Sequence, residues 1–381
     1  MNGSGDVAVL GGGVIGLAIA QALASRGATV RVFERDEPGR AASWAAAGML
    51  APYTERLDDE ALLALCAQSL AMYPSFARAC QEDSGVDVQL HLDGIVNAAF
   101  SDERLDELTD RARALSQRGI ACELLDRSAL LVAEPALGRK VLGALLLSGE
   151  GYVDNRRLGR ALTAACERSG VTIVRDTEQL AIELDNRRVL GVRTHRGFTA
   201  ARHVIVATGA WSASIPGLRD ALAPPVTPVK GQMLALAAPR GFLKRTTWVP
   251  GAYLVPREDG RLLVGATVEH AGFDQRVTAE GVRALLDAAL DAAPALGSFA
   301  LTETWAGLRP ATPDGRPILG PTGIDGLIMA TGHYRNGILL TPITAQLIAS
   351  FVETGDARPL EPWLLARFEK EGAAAKRMTT P

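Results

Sequence analysis

Lysine is scarce in this chain. Five lysines stand against 35 arginines in 381 residues, and 43 acidic residues bring the formal net charge to −3. Such a balance offers no basic stripe, so nucleic acid is not expected as a partner. Alongside abundant alanine, the lysine–arginine imbalance reads as genome composition. Aromatic residues are few, at 5%, which gives weight to each one that stands near a glycine or an arginine. Four cysteines, Cys66, Cys80, Cys122 and Cys166, form no C-x-x-C pair. A structural zinc site is therefore not expected and no metal ligand is assigned. These cysteines read as reduced core thiols of a cytoplasmic protein. Long apolar runs are missing as well. The longest candidate, 41–53, is broken by Ser43, Gly48 and Pro52, short of the ~18 residues of a membrane span, so no membrane association is expected. With 48% hydrophobic residues and a small net charge, disorder is disfavoured. The length suits two or three domains at roughly 150 residues each.

Glycine, by contrast, is abundant, with 39 residues, and its first cluster is readable. Residues 6–10 form a short apolar run that predicts a buried parallel strand. Gly11, Gly13 and Gly16 then fit G-x-G-x-x-G. Residues 14–26 have helical spacing and stop before Gly27; 29–33 predict a second strand with Glu34 at its end. In this setting the first glycine permits a tight turn, the second admits a pyrophosphate and the third lets helix and strand pack closely. The helix N-terminus offers N–H groups to phosphate. Glu34, 18 residues beyond Gly16, is spaced to accept from ribose hydroxyls. A carboxylate there argues against a 2′-phosphate, and leaves FAD and NAD both open.

Small residues dominate 41–48. They would let backbone approach a flat ligand, with Ser43 on a phosphate; a tightly packed loop is the equal alternative. Helices are predicted over 58–84, interrupted near Pro74, over 101–118 behind a Ser101 cap, over 155–169 and over 278–293. Strands are predicted at 171–174, 189–194 and 203–207, the last running into a glycine turn, 207–211, that closes over the nucleotide. Residues 223–265 alternate as an antiparallel sheet with a hairpin turn at Asp259 and Gly260. A strand at 327–330, a glycine turn and a helix over 337–352 close the pattern. That helix would aim its N-terminal dipole at a ligand, or be one more crossover. Arg309 and Arg335, each in a constrained turn, are suited to a bidentate grip on a carboxylate, with Tyr253 assisting; a structural role for each is the alternative. His91, His195, His203 and His270 are isolated, and His333 matters through its backbone. The fold class is α/β, α+β mixed: a Rossmann-like nucleotide domain from 1–90, 141–225 and 305–370 interleaved with a mainly antiparallel β substrate domain from 91–140 and 226–304. Residues 371–381 read as a loose tail.

Six stretches taken together carry a family likeness: GGGVIGLAIA, SWAAAGMLAP, PVKGQMLAL, LLVGATVE, WAGLRPATPDGRPILG and TGHYRNGILLTP. Between residues 10 and 345 the chain resembles the D-amino-acid-oxidase-like FAD-dependent oxidoreductases, and within them the glycine-oxidase type of thiamine biosynthesis. The resemblance implies noncovalent FAD. Beside Gly11, Gly13 and Gly16, its contacts would be Val14, Ile15, Glu34, Arg35, Ala42, Ser43, Ala47, Gly48 and Met49, and the turn His333, Tyr334, Arg335, Asn336, Gly337, Ile338 and Leu339. The adenine-side contact falls on Gln179, where the family usually has a small aliphatic residue; a backbone contact survives that change. Related sarcosine oxidases attach flavin to a cysteine in the C-terminal half, and this chain has none after Cys166. Arg309 and Arg335, with Tyr253, would take the substrate carboxylate, in a pocket sized by Tyr253, Met49 and Val268. The implied reaction oxidises glycine, sarcosine or small D-amino acids with oxygen to the imine or 2-oxo acid, ammonia and hydrogen peroxide, without a side-chain base at the α-carbon. A homotetramer and a hand-off of the imine to thiazole synthase are also implied. The alternatives are a D-amino-acid or N-methyl-amino-acid dehydrogenase feeding a quinone or protein acceptor, a flavin-binding module without turnover, and NAD-dependent hydride transfer.

Overall fold

The computed structural model of the protein describes residues 7–55 and 57–368; the tail 371–381 lies outside the described residues. Strand Val7–Leu10 sits centrally in a six-stranded sheet. It is flanked in parallel by Val30–Phe33 and His203–Val206, with Val7 facing Val30 on one side and His203 on the other. Thr172–Val174 and Leu327–Thr331 extend the sheet in parallel, and Ile318–Pro321 closes one edge antiparallel.

These strands are mainly apolar because both faces are covered; Arg31, Thr172, His203 and Thr331 are the polar exceptions among their side chains. Successive side chains point to opposite faces. Val7, Val9, Val30, Val32 and Ile205 join a core with helices Val14–Ala24, Glu60–Ser84, Asn155–Arg168 and Thr341–Thr354. Ala8, Leu10, Phe33, Val204 and Val206 join Ile182, Val189 and Val192, which belong to a three-stranded antiparallel layer, Ala181–Asp185, Arg188–Thr194 and Gly197–Ala200. The predicted cap holds: Ser101 Oγ accepts from the Arg104 N–H at the start of Asp102–Gln117. Pro74 does not interrupt its helix, which runs unbroken from Glu60 to Ser84 behind an Asp59 cap.

The second sheet has eight strands, ordered Leu301–Ala311, Thr227–Ala237, Arg261–Gly265, Ala252–Pro256, Thr246–Val249, Ile95–Ala99, Gly143–Leu147 and Cys122–Asp126. Its pairs are antiparallel except for Thr246–Val249 beside Ile95–Ala99. The hairpin at Asp259 and Gly260 is present, with Gly260 at φ +86°. Two segments reach further into this sheet than the sequence suggests: 143–147 and 305–311 lie in ranges expected for the nucleotide domain, yet both pair here. One face packs on helix Ala279–Ala292 through Leu234, Leu254, Val264 and Leu285. The other carries Met233, Tyr253, Val255 and Trp305 toward Ala45 and Ala47. The register pairs Gly231 with Gly307, Val229 with Arg309 and Met233 with Trp305. Period-two alternation therefore puts Gly231, Met233, Gly307 and Arg309 on one face, and that face forms a wall of the site.

Candidate active site

A cavity of about 540 Å³ lies between the two sheets, within the usual range for a cofactor or ligand site. At one end Gly11, Gly13, Val14 and Ile15 line it, where helix Val14–Ala24 begins with no side chain of its N-cap Gly13 capping it. A Cβ on Gly11, which has φ +101°, would fall 2.5 Å from the Ala207 carbonyl oxygen, so only glycine lets the turn pass this close to the neighbouring strand. Gly16 is not on the cavity surface. A Cβ there would meet the Gly11 carbonyl at 2.0 Å, so its task is the close packing of helix on strand. Glu34 Oε2 accepts from the Gly12 N–H at 2.6 Å and Oε1 from the Asp36 N–H at 2.9 Å. Burial nevertheless pushes the Glu34 carboxyl above the usual range. Arg35 lies 4.7 Å over the Trp211 ring, and both line the cavity beside Gln179. Gln179 has φ +54°.

The small-residue segment is held from outside by side chains far along the chain. Asn155 donates to the carbonyls of Ser43 and Trp44, Arg257 to that of Ala47, and the Trp305 indole to that of Ala45. With those carbonyls satisfied, Ala42, Ser43, Ala45, Ala47, Gly48 and Met49 present a close-fitting wall. Ser43 Oγ accepts from the Val14 N–H at 3.1 Å.

At the far end stand Tyr253, Arg309 and the turn 333–338. Arg309 lies over Gly231, where a Cβ would come within 2.3 Å of the guanidinium. Its Nη1 donates to the carbonyls of Lys230 at 3.3 Å and Thr267 at 3.1 Å, and it forms no ion pair among the described residues. Arg335 differs: its Nε lies 2.6 Å from Glu55 Oε2 and its Nη2 donates to Oε1 at 3.3 Å. Tyr253 is buried at the cavity wall, and its hydroxyl lies 3.8 Å from Met233 Sδ. Burial raises it above an ordinary phenol, against the pull of Arg309 and Arg335. His333 Nε2 is 3.1 Å from Thr344 Oγ1, and burial lowers the ring to about 3, so it stays neutral.

Nearly all the residues singled out from the sequence meet at this cavity, apart from Gly16, Leu339 and Val268. Leu339 is buried in the helix-side core, and its carbonyl accepts from Ser69 Oγ. Val268 is half exposed; Met233 lines the pocket in its stead. The C-terminal helix begins at Thr341, four residues later than expected. Pro342 has no N–H and fits a first turn, while 337–340 form a separate turn in which the Leu340 N–H donates to the Asn336 carbonyl. Glu55 was missed: its only signal is a carboxylate six residues past Met49, and its partner lies 280 residues away.

A mainly parallel sheet with a glycine turn at the carboxyl end of a central strand, opening onto a mainly antiparallel sheet whose Arg309 forms no ion pair among the described residues, defines a two-part dinucleotide-dependent oxidoreductase. Residues 6–351 match the family model described as FAD dependent oxidoreductase. The chain is 38% identical to glycine oxidase from Geobacillus kaustophilus, over 95% of this chain and 97% of that protein. The crystal structure of glycine oxidase from that organism superimposes with a TM-score of 0.89, at 37% identity over 95% of this chain and 98% of that one. Iminodiacetate oxidase from Chelativorans sp. BNC1 superimposes with a TM-score of 0.84, at 29% identity over 94% and 98%. A bifunctional ThiO/ThiG protein of Trichormus variabilis is 37% identical over 98% of this chain, which spans 57% of that protein's length. The chain belongs to the FAD-dependent oxidoreductase family, among the relatives of glycine oxidase.

The residues present fit FAD. Gly11, Gly13, Val14 and Ile15 line one end of the cavity where helix Val14–Ala24 begins, Glu34 is held against that turn by the Gly12 N–H, and the cavity continues along small residues to Arg309. No cysteine among the described residues lines it. Among the described residues no helix is long and apolar enough to cross a membrane.

Proposed function

We propose that this chain oxidises glycine, and with it sarcosine or small D-amino acids, yielding hydrogen peroxide and the imine, or after hydrolysis the 2-oxo acid with ammonia, or with methylamine where sarcosine is the substrate. The observation that carries the reading is Arg309, a guanidinium braced on two carbonyl oxygens and in no ion pair among the described residues, in the cavity that begins at the glycine turn. Gly11, Gly13, Glu34 and the small-residue wall from Ala42 to Met49 would hold FAD there without a covalent link, and the bound flavin would supply a two-electron acceptor that oxygen can reoxidise. Arg309 binds the substrate carboxylate and Tyr253 donates its hydroxyl to it, which fixes the direction of the α-carbon; such orientation supplies much of the rate. The lone pair of the neutral amine assists as hydride departs, so no side chain has to remove the α-proton. The surroundings agree: His333 is committed to Thr344, and Glu55 to Arg335. Met49 and Met233 supply apolar wall.

A hand-off of the imine to thiazole synthase belongs to this reading, supported by the bifunctional character of the Trichormus protein. So do a cytoplasmic location, supported by four cysteines that form no disulfide, and a homotetramer, to be checked by light scattering. The deciding experiment mixes the yellow protein with glycine without oxygen, then admits air. Bleaching followed by one peroxide per glyoxylate is expected. Bleaching without peroxide would make the chain a dehydrogenase, and no bleaching a flavin-binding module.

A further inference from the structure

The far end of the cavity holds two guanidinium groups and one carboxylate, those of Arg309, Arg335 and Glu55. They are not paired at random. Glu55 engages Arg335 through both carboxylate oxygens, and its side chain is only 9% exposed. Arg309 rests on two carbonyl oxygens, which orient it and cancel no charge. The count at this end is therefore two positive and one negative, leaving one unit for a ligand. Glu34, also on the cavity, belongs to the glycine-turn end, where the Gly12 N–H holds it. All three charges act on the Tyr253 hydroxyl, which Arg309 and Arg335 pull down and Glu55 pushes up.

From this we infer that Glu55 sets the charge class of the substrate: by occupying Arg335 it restricts the pocket to amines bearing a single carboxylate. The inference rests on the proposed role of Arg309 as the carboxylate anchor. A second carboxylate on the substrate has nowhere favourable to go. It must lie beside Glu55 and meet like charge, or displace it and strand a buried carboxylate without its partner. This is exclusion by repulsion, independent of pocket size. Arg335 has the planar fork suited to a second carboxylate; Glu55 fills that fork from within the chain. Removing the Glu55 charge while keeping its shape should convert Arg335 into a second anchor and admit dicarboxylic amines.

The test uses the FAD-loaded protein and a binding readout that needs no turnover. Acetate and malonate are titrated against the flavin absorbance spectrum, at a pH where both malonate carboxyls are ionised. The wild type should prefer acetate. In Glu55→Gln the affinity ratio should move at least roughly tenfold toward malonate, and anaerobic bleaching by iminodiacetate should gain on bleaching by glycine. Glu55→Asp keeps the charge and should keep the acetate preference. The double variant Glu55→Gln/Arg335→Gln restores a count of one and should return it. If Glu55→Gln does not fold, Arg335→Gln decides: it brings the count to zero, so acetate must bind more weakly. An unchanged ratio in Glu55→Gln, a wild type that takes malonate as readily as acetate, or unweakened acetate binding in Arg335→Gln would each overturn the inference. Should glycine fail to bleach the wild-type flavin, the proposed activity falls, while the acetate–malonate comparison still decides whether Glu55 sets the charge class.

Discussion

Arg309 and Arg335 bring the same charge into one cavity and are held in unlike ways, and that difference assigns their tasks. An arginine braced by carbonyls keeps its full charge for a ligand; one clasped by a carboxylate has spent it. Arg309→Ala should therefore lower kcat/KM for glycine by roughly 30-fold to several thousand-fold, the range for deleting one member of a close charge pair at about 2–5 kcal/mol. The protein should stay yellow, because the glycine turn and Glu34 lie at the other end of the cavity. Steady-state kinetics with the flavin spectrum as control checks this, and undiminished glycine turnover would remove Arg309 from the carboxylate site. Arg309 and Tyr253 stand out in the sequence as an arginine between a Gly–Leu pair and a proline and as a rare aromatic, but the turn expected at Arg309 is a strand, Leu301–Ala311. Glu55 does not stand out. Its meaning comes from Arg335, 280 residues later, and nothing local marks a carboxylate as the partner of so distant a cation.

Local pattern located most elements, and it erred where a side chain elsewhere takes over a backbone group. The turn ahead of the C-terminal helix shows this. Apolar spacing from Gly337 onward reads as helix, but the helix proper is Thr341–Thr354. The carbonyls of Ile338 and Leu339 accept instead from Tyr73 and Ser69 of helix Glu60–Ser84. That helix, unbroken through Pro74, thus holds in shape a turn that lines the cavity at His333 to Ile338. Tyr73→Phe keeps the ring and its edge contact with Phe76 but removes one of the two donors of the Ile338 carbonyl, leaving only the Thr341 N–H. A loss of about 0.5–1.5 kcal/mol in unfolding free energy is expected, with weaker retention of FAD on dialysis. Chemical denaturation of the apoprotein separates the two effects. A variant as stable as the wild type would mean that the turn keeps its shape without the hydroxyl. The strands of the parallel sheet were the most legible of all, since burial on both faces leaves Val7–Leu10 and, after His203, Val204–Val206 continuously apolar.

For the molecule as a whole, the interleaving of the two sheets was legible in outline, whereas the joins were not, because they are made by single residues. Strand Gly143–Leu147 belongs to the eight-stranded sheet, and a few residues later Gly151–Tyr152 pairs with Met49–Leu50 beside the cavity. Glu150 sits at that crossing. Its Oε1 accepts from the N–H groups of Tyr53 and Thr54, its Oε2 from Thr54 Oγ1, and Asn97 of the larger sheet donates to the same Thr54 hydroxyl. The next residue after Thr54 is Glu55, so the seam between the sheets also places the carboxylate that occupies Arg335. Burial pushes the Glu150 carboxyl from 4.5 up to about 7, against these hydrogen bonds and the opposing charge of Arg111. Between those two pH values the folded chain retains a proton that the unfolded chain has released. The stability contributed by this group is thus fully present below about pH 4.5, falls as pH rises toward 7, and stays low above it. Glu150→Gln mimics the protonated carboxyl and cannot titrate. Its Tm should fall less than that of the wild type between about pH 5 and pH 8, while every other titrating group contributes equally to both proteins. Differential scanning calorimetry of the two side by side checks this. Parallel Tm–pH curves would show that Glu150 is already ionised throughout that range, and that the seam is held by a carboxylate and not by a protonated carboxyl.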